Sequence, residues 1–282
     1  MKKTAFTLIL LASFLAVQSQ VSEKEKYALI TSVSSIGAGP IQLTDPYLSP
    51  FEYCGFGLQY QNQSRRFYNP NNKKLSNSQQ FLLSIGDVEH PAGNNTMYSF
   101  NLNYMYGVNY HFRPSEKWMI LAGGSWDIDL GGKYLGRNVN NPFSLDLYTD
   151  LNITAEIQYT LNLWKRNFQL HYGFVSPIIG CMFVPYQNIS YYELFVLNNT
   201  NHSFHFSSLN NKQGFDQYFN LDIPLKYNTM RFGIARDYLK YSANDMVFKK
   251  KDVIFSVGTV INLFKIRGKK TKIPANFINS YE

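Results

Sequence analysis

From Tyr98 to Phe112, hydrophobic and polar positions alternate without interruption. Tyr98, Phe100, Leu102, Tyr104, Tyr106, Val108, Tyr110 and Phe112 share one parity, and Ser99, Asn101, Asn103, Met105, Gly107, Asn109 and His111 share the other. A period of two over that length predicts one extended strand with an apolar face and a polar face. The pattern returns where Leu145, Leu147, Thr149, Leu151, Ile153, Ala155, Ile157, Tyr159 and Leu161 oppose Asp146, Tyr148, Asp150, Asn152, Thr154, Glu156, Gln158 and Thr160. Further runs lie at 117–131, built on Trp118, Ile120, Trp126, Ile128 and Leu130, and at 253–263. Weaker ones lie at 52–62, 79–88, 168–176, 214–225 and 229–242, with a first strand at 27–36.

Ordinary strands stop after about five or six residues. The run at 145–161 would extend about 55 Å at the usual rise, too long for a soluble sandwich. The expected fold is therefore all-β, an antiparallel up-and-down transmembrane β-barrel of about ten strands, with eight or twelve as alternatives. A soluble secreted β-protein is the rival architecture. Connections at 113–116, 162–167 and 227–229 are short, whereas 132–144, 187–213 and 243–251 are longer and polar. Such barrels put short turns in the periplasm and long loops outside. Trp118 and Trp164 flank two of the short turns, where an interfacial aromatic belt would place them. In this scheme 63–78 becomes an unusually long periplasmic turn.

Residues 1–19 read as a secretory signal: Lys2 and Lys3, an apolar stretch from Ala5 to Val17, and small residues Val17 and Ser19 before a cut at Gln20. The barrel then occupies 20–264 and a basic periplasmic tail 265–282. The signal's apolar stretch is too short to span a bilayer as a helix, and no Cys follows it to carry a lipid anchor. No other run reaches about eighteen apolar residues. The formal charge of +8 falls to +6 without the signal lysines, and Lys265, Arg267, Lys269, Lys270 and Lys272 crowd the tail. A basic run suits nucleic acid or anionic headgroups, or simply stays solvated. After an export signal, nucleic acid is not an expected partner. The expected partners are outer-membrane lipids and the envelope assembly machinery, with the chain a monomer in a Gram-negative outer membrane.

Cys54 and Cys181 lie in apolar stretches, which predicts buried or lipid-facing thiols in preference to a disulfide. With two Cys and no clustered His, a structural zinc site is excluded. The 21 Tyr and 22 Phe coexist with a mean hydropathy below zero, as a barrel with a greasy outside and a wet inside requires.

If the apolar parity faces lipid, Asp127, Asp129, Asp146, Asp150 and Glu156 point inward. Pairing about the 132–144 loop puts Asp150 near Trp126 and Asp129 near Leu147, gathering the acids in the upper lumen. The expected result is a hydrogen-bonded acid–base lumen that also holds Arg231, Asp216, Asp222 and Asp237. A calcium site is the alternative, although no metal or other cofactor is expected. His111 and His171 point inward near the short turns as packing or hydrogen-bonding residues. A barrel this small fills its interior with side chains, and open aqueous pores come at about sixteen strands. A narrow channel lined by the acids stays open as a reading.

One motif carries chemistry. In His202-Ser203-Phe204-His205-Phe206-Ser207-Ser208, His205 and Ser207 share a face of an extended hairpin, and a His able to take the Ser proton is the start of a nucleophilic site. The pair resembles the His-x-Ser of outer-membrane phospholipases and lipid A deacylases. That likeness covers three residues, lacks a following Glu, and leaves Asn210, Asn211 and Asp216 as substitutes to orient His205. The alternative is an ordinary loop whose Phe204 and Phe206 pack onto the rim. Phosphate-binding glycine loops and HExxH are absent. Asn-x-Ser/Thr triplets, including those beginning at Asn62, Asn94, Asn152, Asn188 and Asn201, would accept glycans only in a eukaryotic secretory pathway.

The segments Glu89-His90-Pro91-Ala92-Gly93-Asn94-Asn95 and Gly136-Arg137-Asn138-Val139-Asn140-Asn141-Pro142, with a strand ending Asn262-Leu263-Phe264, resemble an uncharacterised Bacteroidota-type family of outer-membrane barrels, a domain of unknown function. The likeness implies location and fold, not activity. The chain continues past Phe264 where many barrels end on an aromatic. The expectation for function is a non-enzymatic barrel with a binding or structural role through its external loops. The alternatives are a lipid-acyl hydrolase using Ser207 and His205, or a narrow channel.

Overall fold

A computed structural model describes residues 30–69, 72–139, 141–163, 166–187, 189–200, 202–225 and 228–263. The signal segment, Trp164, the tail cations, Phe264 and the triplets beginning at Asn188 and Asn201 involve positions outside the described residues. Among the described residues the strands are β1 (Ile30–Asp45), β2 (Ser49–Asn69), β3 (Asn72–Glu89), β4 (Thr96–Phe112), β5 (Trp118–Leu135), β6 (Phe143–Leu163), β7 (Arg166–Phe183), β8 (Phe204–Ser208), β9 (Lys212–Gly214), β10 (Asp216–Pro224), β11 (Thr229–Ala243) and β12 (Met246–Leu263). One short helix, α1 (Tyr191–Phe195), precedes β8.

Strands β1 to β7 pair antiparallel in chain order; β7 then pairs with β10, β10 with β11, β11 with β12, and β12 with β1. That circuit is a closed ten-stranded barrel with no free edge. The small strands β8 and β9 extend the wall at one end, β8 along β7 and β9 along β11. The barrel has a loop end, where the long connection between β7 and β10 lies, and a terminal end, where Ile30 pairs with Leu263.

The alternation read from the sequence is the alternation of the wall. Phe100, Trp118, Ile128, Leu151, Ile157, Phe232 and Phe255 are all exposed on the outside, while their neighbours Ser125, Asp150, Asn152 and Arg231 are buried inside. Apolar rows facing out around a polar interior are the inverse of a soluble β-protein, and they define a lipid-facing surface. Hydrogen bonding on that surface is satisfied locally: Trp126 Nε1 donates to Thr149 Oγ1 at 2.8 Å, whose hydroxyl donates to the Asp127 carbonyl at 2.6 Å.

Several expected boundaries change, among them the 132–144 connection, which narrows because β5 runs to Leu135 and β6 begins at Phe143. No long turn spans 63–78, because β2 and β3 continue until Asn69 pairs with Asn72. Their outward positions there, Ser64, Arg66, Asn77 and Gln79, are polar like the inward ones, so the period vanishes while the ladder persists. The expected loop at 243–251 shrinks to Asn244 and Asp245, both at positive φ, the backbone a two-residue hairpin of this twist demands. The 187–213 loop contains α1, whose Ser190 Oγ accepts from the Glu193 N–H at 3.2 Å while Glu193 Oε2 accepts from the Ser190 N–H at 2.8 Å. This reciprocal cap satisfies the first turn, and Leu194 is fully buried beneath it.

Candidate functional site

The lumen is the polar site that the fold builds, and it has three layers. At the terminal end a charged network crosses it. Arg65 on β2 reaches Glu156 on β6, with Nη2 to Oε2 at 2.6 Å. Glu156 also meets His171 Nδ1 at 3.1 Å and accepts from the Tyr218 hydroxyl at 2.8 Å. His171 Nε2 lies 3.2 Å from Asp222 Oδ2, and Arg231 grips the same carboxylate with Nε and Nη2 at 2.6 and 2.7 Å. Every charged member is buried. A buried charge is tolerated only when paired, so this network holds its members as one unit. His111 lies alongside, its Nε2 2.7 Å from Ser76 Oγ and its ring against Phe67.

Above the network lies a cavity of about 200 Å³. One wall presents amides from β2 to β4, among them Gln61, Gln80, Asn101 and Asn103; the other presents charge from β5, β6 and β9 to β12. The five acids expected in the upper lumen all point inward; Asp127 and Asp150 face each other, and each acid has a hydrogen-bond or ion-pair partner. Asp129 accepts from Asn101 and Asn103 at 2.9 and 2.7 Å, and Asp127 accepts from the Asp150 N–H at 3.0 Å. Asp150 pairs with Lys212 at 2.5 Å, Asp146 with Lys133 at 2.5 Å, and Glu156 belongs to the network below. Asp237 and Asp252 share Lys250, each at 2.9 Å. The pairing also moves by one residue from the expected register: Asp127 faces Asp150 and Asp129 faces Tyr148. Directly opposed residues share a face, so inward Asp150 could never oppose outward Trp126. Among the described residues, no cluster of His, Cys, Asp and Glu is arranged to hold a metal ion.

The loop end is sealed by apolar side chains that turn inward. Leu43, Tyr53, Val88, Met97, Leu135 and Met182 form a buried core across the mouth. The long connection is fastened over it: the Tyr47 hydroxyl donates to the Ile189 carbonyl at 2.6 Å, and the Tyr191 hydroxyl accepts from the Leu145 N–H at 2.6 Å. Tyr47 lies in the turn between β1 and β2, beyond the lipid-facing rows. Burial, then the charges of Asp45 and Glu193, push its hydroxyl up to about 12. Outside this seal, Tyr192, Phe195, Val196, Leu197, Phe204 and Phe206 are exposed.

His205 and Ser207 both lie on β8 and both point inward, but they serve different partners. Ser207 Oγ donates to Asp150 Oδ1 at 3.2 Å, and His205 Nε2 lies 3.2 Å from the Val184 carbonyl oxygen. Ser207 is almost completely buried. Gly180 stands opposite it, and a Cβ there would collide with Asp150. Cys54 and Cys181 are free thiols on the outer surface.

The cations that complete the lumen, Arg65, Lys133 and Lys212, sit in stretches whose sequence pattern predicts turn or loop. Parity was the available signal: Arg65 continues the inward series Gln59, Gln61, Gln63.

Curated proteins offer no similar sequence. Among solved structures, the transport unit of the autotransporter AIDA-I from Escherichia coli matches at 10% identity, over 86% of this chain and 93% of that chain, with a TM-score of 0.45. The outer membrane protease OmpT from Escherichia coli matches at 7% identity over 87% and 99%, with a TM-score of 0.47. Ail, the attachment invasion locus protein of Yersinia pestis, matches at 12% identity over 82% and 98%, with a TM-score of 0.31. No activity passes from them to this chain. The family model described as "Protein of unknown function (DUF3316)" matches residues 6–270, and the chain belongs to that family.

Proposed function

We propose that this protein is an integral barrel of a Gram-negative outer membrane, of the Bacteroidota type that its loop motifs suggest, exported by its residue 1–19 signal. In this reading it is inserted by the envelope assembly machinery and works as a non-enzymatic monomer. The loop end is external, and its role is binding or bracing through the surface that α1 and β8 present.

One observation carries the reading: the lumen is filled at both ends. The Arg65–Glu156–His171–Asp222–Arg231 network closes one end and the Leu43–Tyr53–Met182 core closes the other. A conduit needs a continuous wet path, and a hydrolase needs a nucleophile open to substrate and joined to its base. Among the described residues the two closures interrupt such a path, and Ser207 is buried on Asp150 and not joined to His205, which supports the reading. What stays accessible is the outer face of the long connection, with Tyr192, Phe195 and Phe206 in the open. Planar-bilayer recording tests the reading: the purified protein is expected to insert without conductance steps, and regular steps would overturn it.

A further inference from the structure

We propose that the outer wall of β11 and β12, at the loop end, binds the phosphate-bearing headgroup of an outer-leaflet lipid of the lipid A type. This rests on the membrane reading given above. The site consists of Arg236 and Lys240 on β11 with Lys249 and Lys251 on β12.

Strand parity creates it. In the run Lys249-Lys250-Lys251 the middle residue points into the lumen, where Asp237 and Asp252 hold it at 2.9 Å each. The outer two point outward and are exposed. Lys240 lies directly opposite Lys249, and Tyr238 directly opposite Lys251. Residues so opposed have Cβ atoms about 5 Å apart, and like charges in that position are destabilising. The inward lysines Lys133, Lys212 and Lys250 each meet a carboxylate. Among the described residues, no ion pair holds Arg236, Lys240 or Lys249, and Lys251 reaches only Glu52 at 3.8 Å. The interior cations are compensated by the fold, so the exterior ones await an anion from outside.

Their height along the wall names the anion. On β11 the outward series runs Phe232, Ile234, Arg236, and on β12 it runs Phe255, Val253, Lys251. Acyl chains against the apolar members place headgroups at the level of the cations. The patch runs about 13 Å along β11 and is about 5 Å wide, enough for a headgroup carrying more than one phosphate. Glu52 bounds the patch beside Lys251, and the rim of β3 offers Asp87 and Glu89, which repel phosphate and confine the lipid to the β11–β12 wall.

The test uses the full chain inserted into phosphatidylcholine vesicles that contain bisphosphorylated lipid A, followed by detergent extraction and native mass spectrometry. Wild type is expected to retain lipid A, and dephosphorylated lipid A or inorganic phosphate is expected to give no retained adduct. The pair Lys240→Gln/Lys249→Gln should lower retention on the order of tenfold or more. Lys73→Gln/Lys74→Gln, at the terminal end, should leave it unchanged. Insertion into vesicles of phosphatidylcholine alone is scored in parallel. Failure of wild type to insert sinks the membrane reading, whereas normal insertion with equal retention by wild type and the Lys240/Lys249 variant sinks this inference alone. Retention of inorganic phosphate by wild type also overturns it. So does a wild-type dimer that takes up no lipid and that the same substitutions disperse.

Discussion

Arg65 and Glu156 stand on strands on different sides of the lumen and meet side chain to side chain, Nη2 to Oε2 at 2.6 Å. The contact is one link of the buried charged plug that crosses the terminal end of this barrel. Removing one member of such a buried pair strands the other, at a cost of about 3–5 kcal/mol. Glu156→Ala is therefore expected to lower stability by about that amount in urea unfolding from vesicles. The apolar pair Arg65→Met/Glu156→Leu is expected to lose less, since no charge is stranded. A Glu156→Ala variant within about 0.5 kcal/mol of wild type, the range of neutral surface changes, would contradict the plug.

Asp150 gathers Lys212 and Ser207 in the upper lumen. Ser207→Ala removes one hydrogen bond and should cost about 1 kcal/mol. Lys212→Met leaves a buried carboxylate unpaired and should cost about 3–5 kcal/mol. If Ser207 is structural, labelled lipid incubated with either wild type or Ser207→Ala should release no fatty acid. Release by wild type that the substitution abolishes would establish the hydrolase reading instead.

The seal over the loop end should loosen in alkali. Tyr47 is held neutral, with its hydroxyl pushed from the usual 10.0 to about 12 by burial and nearby carboxylates. A raised acid adds stability that is complete below pH 10 and is lost as pH climbs through about 12. Hydrogen exchange across 184–203 should therefore accelerate between those values. In Tyr47→Phe that acceleration should shrink and the baseline exchange should rise. An unchanged pH profile in the variant would contradict this.

Cys54 and Cys181 are free and exposed on the outer wall. In a Cys54→Ser background, Cys181 should react in vesicles with a membrane-permeant maleimide and resist a charged one. Equal labelling by both would place that wall in water.

The ten barrel strands were legible because lipid on one side and water on the other impose a period of two. Legibility failed where that contrast disappears. Around Ser64, Arg66, Asn77 and Gln79 both faces of β2 and β3 are polar, so a tight hairpin looked like a turn. At Lys249-Lys250-Lys251 three identical charges concealed two opposite faces. Helix α1 left a readable trace, Ser190 three residues before Glu193, which strand periodicity does not report. The identities of the inward acids were visible, but their partners were not. Ion pairing across a closed barrel joins β2 to β6 and β1 to β5, and no local pattern encodes that.

Fluorescence of Trp126 tests the central claim most directly. Its ring lies on the outer face of β5, exposed at mid-wall. With Trp118→Phe and Trp164→Phe as the background, emission from protein in vesicles should be quenched strongly by brominated acyl chains and weakly by aqueous iodide. Strong iodide quenching with no effect of bromolipid would mean that the greasy wall meets water, contradicting a lipid-embedded barrel.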